Sequence, residues 1–138
     1  MSLDTEQSQS LSAFLPLQAP SMNILYSVYC LGRVPQVHLK GEVRLFKTRV
    51  IQMLPKWKCP KEGWLAVHLD FCQPWHYQNG QPKHQDVANM FKMVLDGIAA
   101  RYGFDDSRVV ELTCRKIEAT PVGIRVGIRL SGLAQGLT

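Results

Sequence analysis

The spacing of apolar residues along the chain divides it into segments of different period. From Trp64 to Phe71 they alternate, with Leu65, Val67, Leu69 and Phe71 on one side and Trp64, Ala66, His68 and Asp70 on the other. That pattern predicts a half-buried strand. Further on the period lengthens. At the angular step of an α-helix, Met90, Val94, Val87, Ile98, Phe91, Tyr102 and Leu95 fall within an arc of about 140°, and Asn89, Lys92 and Asp96 share the opposite arc. Gly103 is placed to end this helix. Two strands are predicted beyond it, over Val109–Ile117 and Val122–Leu130, paired antiparallel across Glu118–Pro121.

Upstream, Ile24–Leu31 is a run of strand formers ended by Gly32. The segment around Arg44–Leu54 reads as a short basic amphipathic helix stopped by Pro55. Cys72–Gln85, with Pro74, Asn79-Gly80 and Pro82, reads as a long polar loop, and loops beyond about 12 residues usually carry function or disorder. Residues 1–21 are Ser- and Gln-rich and predict a flexible N-terminal tail, 22–132 a single domain, and 133–138 a frayed C-terminal tail.

A chain of 138 residues suits one core. No apolar run approaches the ~18–20 residues that cross a bilayer, so the expectation is a cytoplasmic protein with no membrane partner. Cys30, Cys59, Cys72 and Cys114 form no C-x-x-C pair, and Cys30 and Cys114 fall inside predicted strands as small core residues. A zinc site would have to gather Cys59, Cys72, His76 and His84 at irregular spacings, which favours reduced thiols instead.

The net charge of +5 is unevenly distributed. Arg33, Lys40, Arg44, Lys47, Arg49, Lys56, Lys58 and Lys61 face only Glu42 within their span. Such a concentration is either the footprint of a polyanion or a solvated basic face. Carboxylates flank the predicted helix, Asp86 before it and Asp105 and Asp106 after it. A divalent metal anchored by a few carboxylates can activate water and neutralise phosphoryl charge, so this set suits phosphodiester hydrolysis. The two ends of the helix are roughly 25 Å apart, however, so the acids meet only if the following turn folds back or a second subunit supplies half the set.

Each of these residues also has a structural role open to it. Asp86 suits an N-cap, Asp105-Asp106 a turn, Lys92 a solvated helix face, and Asp96 a partner for Lys92 one turn away. His68 and Asp70 could line a groove or face water. His76 and His84 could contact phosphate, and Trp75 and Tyr77 could stack on bases or bury the base of their loop.

The order of these features resembles the RusA-like family of crossover-junction (Holliday-junction) endodeoxyribonucleases. The matching residues are Asp86-Val87-Ala88-Asn89 with Lys92, Leu95-Asp96, Asp105-Asp106-Ser107-Arg108-Val109-Val110-Glu111 and Arg115-Lys116, within a weaker likeness over about residues 24–130. The resemblance implies an α/β (α+β) nuclease domain, a small mixed β-sheet with helices packed on it, acting as a homodimer. Its activity would be metal-dependent, structure-selective cleavage of four-way DNA junctions in recombination and repair, with Mg²⁺ or Mn²⁺ as cofactor. By position, Asp86, Lys92 and Asp106 match catalytic residues, and Asp86, Asp106 and the less critical Asp105 match metal ligands. Arg44, Lys47, Arg49, Lys56, Lys58 and Lys83, with Arg108, would hold DNA phosphates. The departure is Ala88, where the family has a second aspartate. A methyl group cannot ligate a cation, so either Asp70 or Asp105 compensates, or the chain is a catalytically impaired junction-binding module of the same fold.

Overall fold

The computed structural model describes residues 9–20, 26–31, 34–39, 41–133 and 135–136. Its strands and helices are β1 (Ser10–Leu15), β2 (Tyr26–Leu31), β3 (Val34–Leu39), α1 (Gly41–Met53), β4 (Trp64–Gln73), α2 (Val87–Tyr102), β5 (Val109–Glu118) and β6 (Gly123–Ser131). A single 3₁₀ turn, Asp106–Arg108, leads into β5. Four strands form one mixed sheet in the order β1-β6-β4-β5, and β2 and β3 form a separate antiparallel pair. This is the α+β class expected.

The inward row of β4 is realised as predicted, but the strand is not half-buried, because Ala66 and Asp70 on its other face are buried as well. Leu65, Val67, Leu69 and Phe71 are fully buried against the helices, together with Ile124, Val126 and Ile128 of β6 and Met90, Met93, Val94 and Ile98 of α2. Burying a side chain of this size contributes about 1.5–3 kcal/mol, so this layer fixes which face of the sheet the helices cover. α1 supplies Val43, Phe46 and Val50 to the same core. The two helices approach closely at Gly97, where a Cβ would lie 2.8 Å from Val50 Cγ1.

Three expectations change. Residues 1–21 are not a tail throughout, because Ser10–Leu15 pairs antiparallel with β6 and buries Leu11 and Leu15, followed by Leu17 and Ala19. The surrounding serines and glutamines mask that alternation in the sequence. The β5–β6 pair does not form either. β4 lies between them, parallel to β5 and antiparallel to β6. Ala119 donates to the Gln73 carbonyl at 3.4 Å as the connection passes the end of β4, and a few residues at about 3.3–3.6 Å each suffice to span two strand spacings. Finally, β3 has no counterpart in the sequence reading, and the predicted strand start at Ile24 falls outside the described residues.

Parallel pairing of β4 and β5 requires a crossover, and α2 provides it. The helix therefore runs back along the sheet. Its N-terminus lies at the end where β4 and β5 finish, and its C-terminus at the end where they begin. Among the described helices none is long and apolar enough to cross a membrane.

Candidate functional site

Both ends of α2 are capped by the residues that the spacing singled out. Asp86 accepts a hydrogen bond from the Ala88 amide at 2.9 Å, and Gly103, at φ 70°, closes the last turn with its N–H on the Ala99 carbonyl. Asp105 caps the next turn, accepting from the Ser107 amide at 2.9 Å, and this holds its carboxyl below the usual range. Asp86, Asp105 and Asp106 are all exposed.

The turn after α2 does not fold back. It feeds directly into β5, so the 16-residue helix separates Asp86 from Asp105 and Asp106. Among the described residues no three His, Cys, Asp or Glu side chains gather as a metal site.

Ala88, Lys92 and Asp96 succeed one another at four-residue intervals and so share one stripe of α2. Lys92 Nζ stands 3.8 Å from Asp96 Oδ2, and Lys47 of α1 reaches the same oxygen at 4.0 Å. The expected Lys92–Asp96 pair is thus present, and Ala88 lies exposed one turn before it.

The basic segment after α1 is fastened to the C-terminal end of α2. Tyr102 donates its hydroxyl to the Pro55 carbonyl at 2.7 Å, Arg101 reaches the Leu54 carbonyl at 3.4 Å, and Trp57 meets Tyr102 edge to face at 5.1 Å. Arg108 donates to the Gly63 carbonyl at 3.0 Å and to the Pro60 carbonyl at 2.8 Å. Arg108 therefore braces this segment, and two of its nitrogens are committed to that task rather than to a phosphate. Lys58 and Lys61 line a groove of about 410 Å³ with Tyr102, Gly103 and Arg108. Lys56 and Lys58 are exposed, as are Arg44 and Arg49 on α1, whereas Lys47 is half-buried. Arg33 and Lys40 fall outside the described residues. The basic groove and the Asp105–Asp106 turn thus occupy the same end of the molecule. Arg101, beside Lys56 and Lys58, is a cation the sequence reading did not single out.

The loop between β4 and α2 is anchored at its base. Trp75 is buried, with its indole N–H on the Phe71 carbonyl at 3.1 Å, so it is not a stacking platform. Glu118 receives the Trp75 amide at 3.0 Å and lies 2.8 Å from His76 Nδ1. Those bonds, His76 first, lower the Glu118 carboxyl. Tyr77 is exposed at the tip, with Lys83 Nζ 5.4 Å from its ring centre.

The face of the sheet opposite the helices carries a network that the sequence did not reveal. Asp70 is only 4% exposed. Its Oδ1 accepts from Arg115 Nε at 2.9 Å and lies 2.8 Å from His68 Nε2, while its Oδ2 accepts from Arg115 Nη2 at 3.1 Å. The Arg115 guanidinium above all holds the Asp70 carboxyl below its usual range. Both oxygens are taken, and the residue sits mid-strand, so Asp70 does not stand in for the carboxylate missing at position 88. Nearby, Glu111 accepts from Arg129 at 2.9 Å and from Ser131 at 3.1 Å.

A mixed sheet, a crossover helix with acids at both ends and a basic groove at one of them define a domain equipped for a nucleic-acid backbone. The sequence model of the family described as endodeoxyribonuclease RusA matches residues 30–129, the greater part of the chain, and the protein belongs to that family. The match carries the endodeoxyribonuclease class and its branched-DNA substrate. No curated protein matches the chain.

Proposed function

We propose that this protein is a structure-selective endodeoxyribonuclease that resolves four-way DNA junctions as a homodimer, with Mg²⁺ or Mn²⁺ as cofactor. The observation that carries this reading is the family match over residues 30–129. The basic groove fastened beside Asp105 and Asp106 supports it.

Among the described residues, one protomer offers no set that fits a divalent ion, because Asp86 and the Asp105–Asp106 pair lie at opposite ends of α2. A complete set needs carboxylates from two subunits, Asp86 of one and Asp106 with Asp105 of the other. When bound there, the ion would activate water and neutralise charge on the phosphoryl oxygens. Lys92 would stabilise charge on the scissile phosphate. Lys56 and Lys58 would hold phosphates on the acidic-turn side, Arg44, Lys47 and Arg49 along α1, and Lys83 at the other end of α2. Backbone contacts of this kind read DNA shape rather than bases, which suits a branched substrate.

A synthetic four-way junction incubated with the protein tests the reading. The expected result is paired nicking that needs Mg²⁺ or Mn²⁺ and stops on chelation. Ala88 favours a second reading, a module that binds junctions without cutting them. Tight junction binding with no cleavage in either metal would establish that reading and remove the first.

A further inference from the structure

The two edges of the sheet are unlike. β1 is a six-residue strand, whereas β5 runs for ten residues with no proline and, among the described residues, pairs only with β4. Its side chains are exposed or half-buried on both faces, with Leu112 55% exposed. Long bare edges are usually shortened, kinked or covered, because their free N–H and C=O groups recruit another strand. Here the one irregularity is a bulge near Val110, at the very start of the strand.

We propose that the β5 edge is the subunit interface, pairing antiparallel with β5 of a second copy about a two-fold axis at Thr113. The inference rests on the two-subunit reading above and names the surface that would join the subunits.

The register follows from the pleat and the charges. A two-fold axis perpendicular to the sheet keeps each residue on its own face, and side chains alternate faces with period two. The numbers of opposed residues must then add to an even sum. With the axis at Thr113, Glu111 opposes Arg115 and Leu112 opposes Cys114, each twice. With the axis at Leu112, Glu111 meets Thr113 and Arg115 meets Val109. With the axis at Cys114, Glu111 meets Ile117 and Leu112 meets Lys116. Only the first of these three pairs opposite charges.

Existing side-chain geometry continues this row. Within one protomer Arg125, Asp70 and Arg115 stand side by side across β6, β4 and β5. Glu111 already reaches Arg129 past the small side chain of Ala66. Joined at Thr113, the row would run Arg125, Asp70, Arg115, then Glu111 and Arg129 of the second copy, alternating in sign throughout. Antiparallel pairing also sets the finishing end of one β5 beside the starting end of the other. Asp86 of one copy would then lie at the same end of the joined sheet as Asp105 and Asp106 of its mate.

Disulfide trapping tests the register directly. Thr113→Cys places a thiol beside its own copy at the axis, and Ser12→Cys, on the same face of the far edge strand, is the control. Under mild oxidation Thr113→Cys is expected to give mostly covalent dimer on a non-reducing gel and Ser12→Cys mostly monomer. A second variant, Glu111→Arg, sets like charges opposite each other twice. It should raise the dimer dissociation constant in sedimentation by on the order of tenfold or more, with an unchanged circular dichroism spectrum. If wild type sediments as a dimer but Thr113→Cys cross-links no better than the control, the edge is wrong and the two-subunit reading survives. A wild type that stays monomeric at all concentrations overturns both. Cross-linking at Thr113 without junction cleavage supports the interface and counts only against the nuclease reading.

Discussion

Arg115 on β5 grips Asp70 on β4 with two parallel hydrogen bonds, Nε to Oδ1 at 2.9 Å and Nη2 to Oδ2 at 3.1 Å. Asp70→Asn keeps the shape but removes the charge. It should cost about 1–3 kcal/mol in chemical denaturation, towards the low end because water reaches the arginine. The sign of the pH dependence follows from the lowered carboxyl. Its stabilisation is full above the unfolded value, about pH 4, and is lost as pH falls through the folded value. The stability gap between wild type and Asp70→Asn should therefore narrow below about pH 4. A gap that widens on acidification would contradict this account.

Ala88→Asp restores a carboxylate one turn before Lys92. Acidic residues are favoured in the first turn of a helix and four residues before a lysine, by a few tenths of a kcal/mol each. The variant should thus fold at least as well as wild type, and any change in cutting is chemical. The expected outcome is faster metal-dependent nicking of a four-way junction, by about tenfold or more. Equal rates in an active wild type would mean that position 88 is not a vacant ligand site.

Lys56→Gln and Lys58→Gln remove exposed charges beside the Asp105–Asp106 turn. If each contacts a phosphate, each should lower the slope of log affinity against log salt by about 1 and weaken binding to all junction sequences alike. Fluorescence anisotropy across a salt series measures this. Thr48→Ala, on α1 but uncharged, should leave the slope unchanged.

Gly97→Ala drives a methyl into Val50, since the new Cβ would lie 2.8 Å from Val50 Cγ1 and 3.1 Å from its Cβ. Overpacking of this kind costs about 1–3 kcal/mol. A lowered melting temperature is expected, without any change in salt slope. Unchanged stability would mean that the helix-propensity gain of about 1 kcal/mol on replacing an interior glycine offsets the clash with Val50.

What the sequence conveyed was mostly local. The stripe of α2, its Asp86 cap and its Gly103 stop are set by neighbours within a turn or two, and all three appear as expected. The separation of Asp86 from Asp106 was legible for the same reason, because helix length is simple arithmetic. Strand order was not, because β4 enters between two strands that are consecutive in the chain, and nothing in either strand encodes that insertion. Asp70 and Arg115 are likewise 45 positions apart, and their pairing follows only from the parallel register. β1 was hidden by its serines, although Leu11 and Leu15 bury as any edge strand would.

The strand order has a practical consequence for handling the protein. β1 forms one edge of the sheet, and two strands stand between it and β5. A fluorophore attached at the exposed Ser12 of β1 thus sits at the opposite margin of the sheet from Thr113. For single-molecule or pull-down work, the β1 edge is the side on which to build.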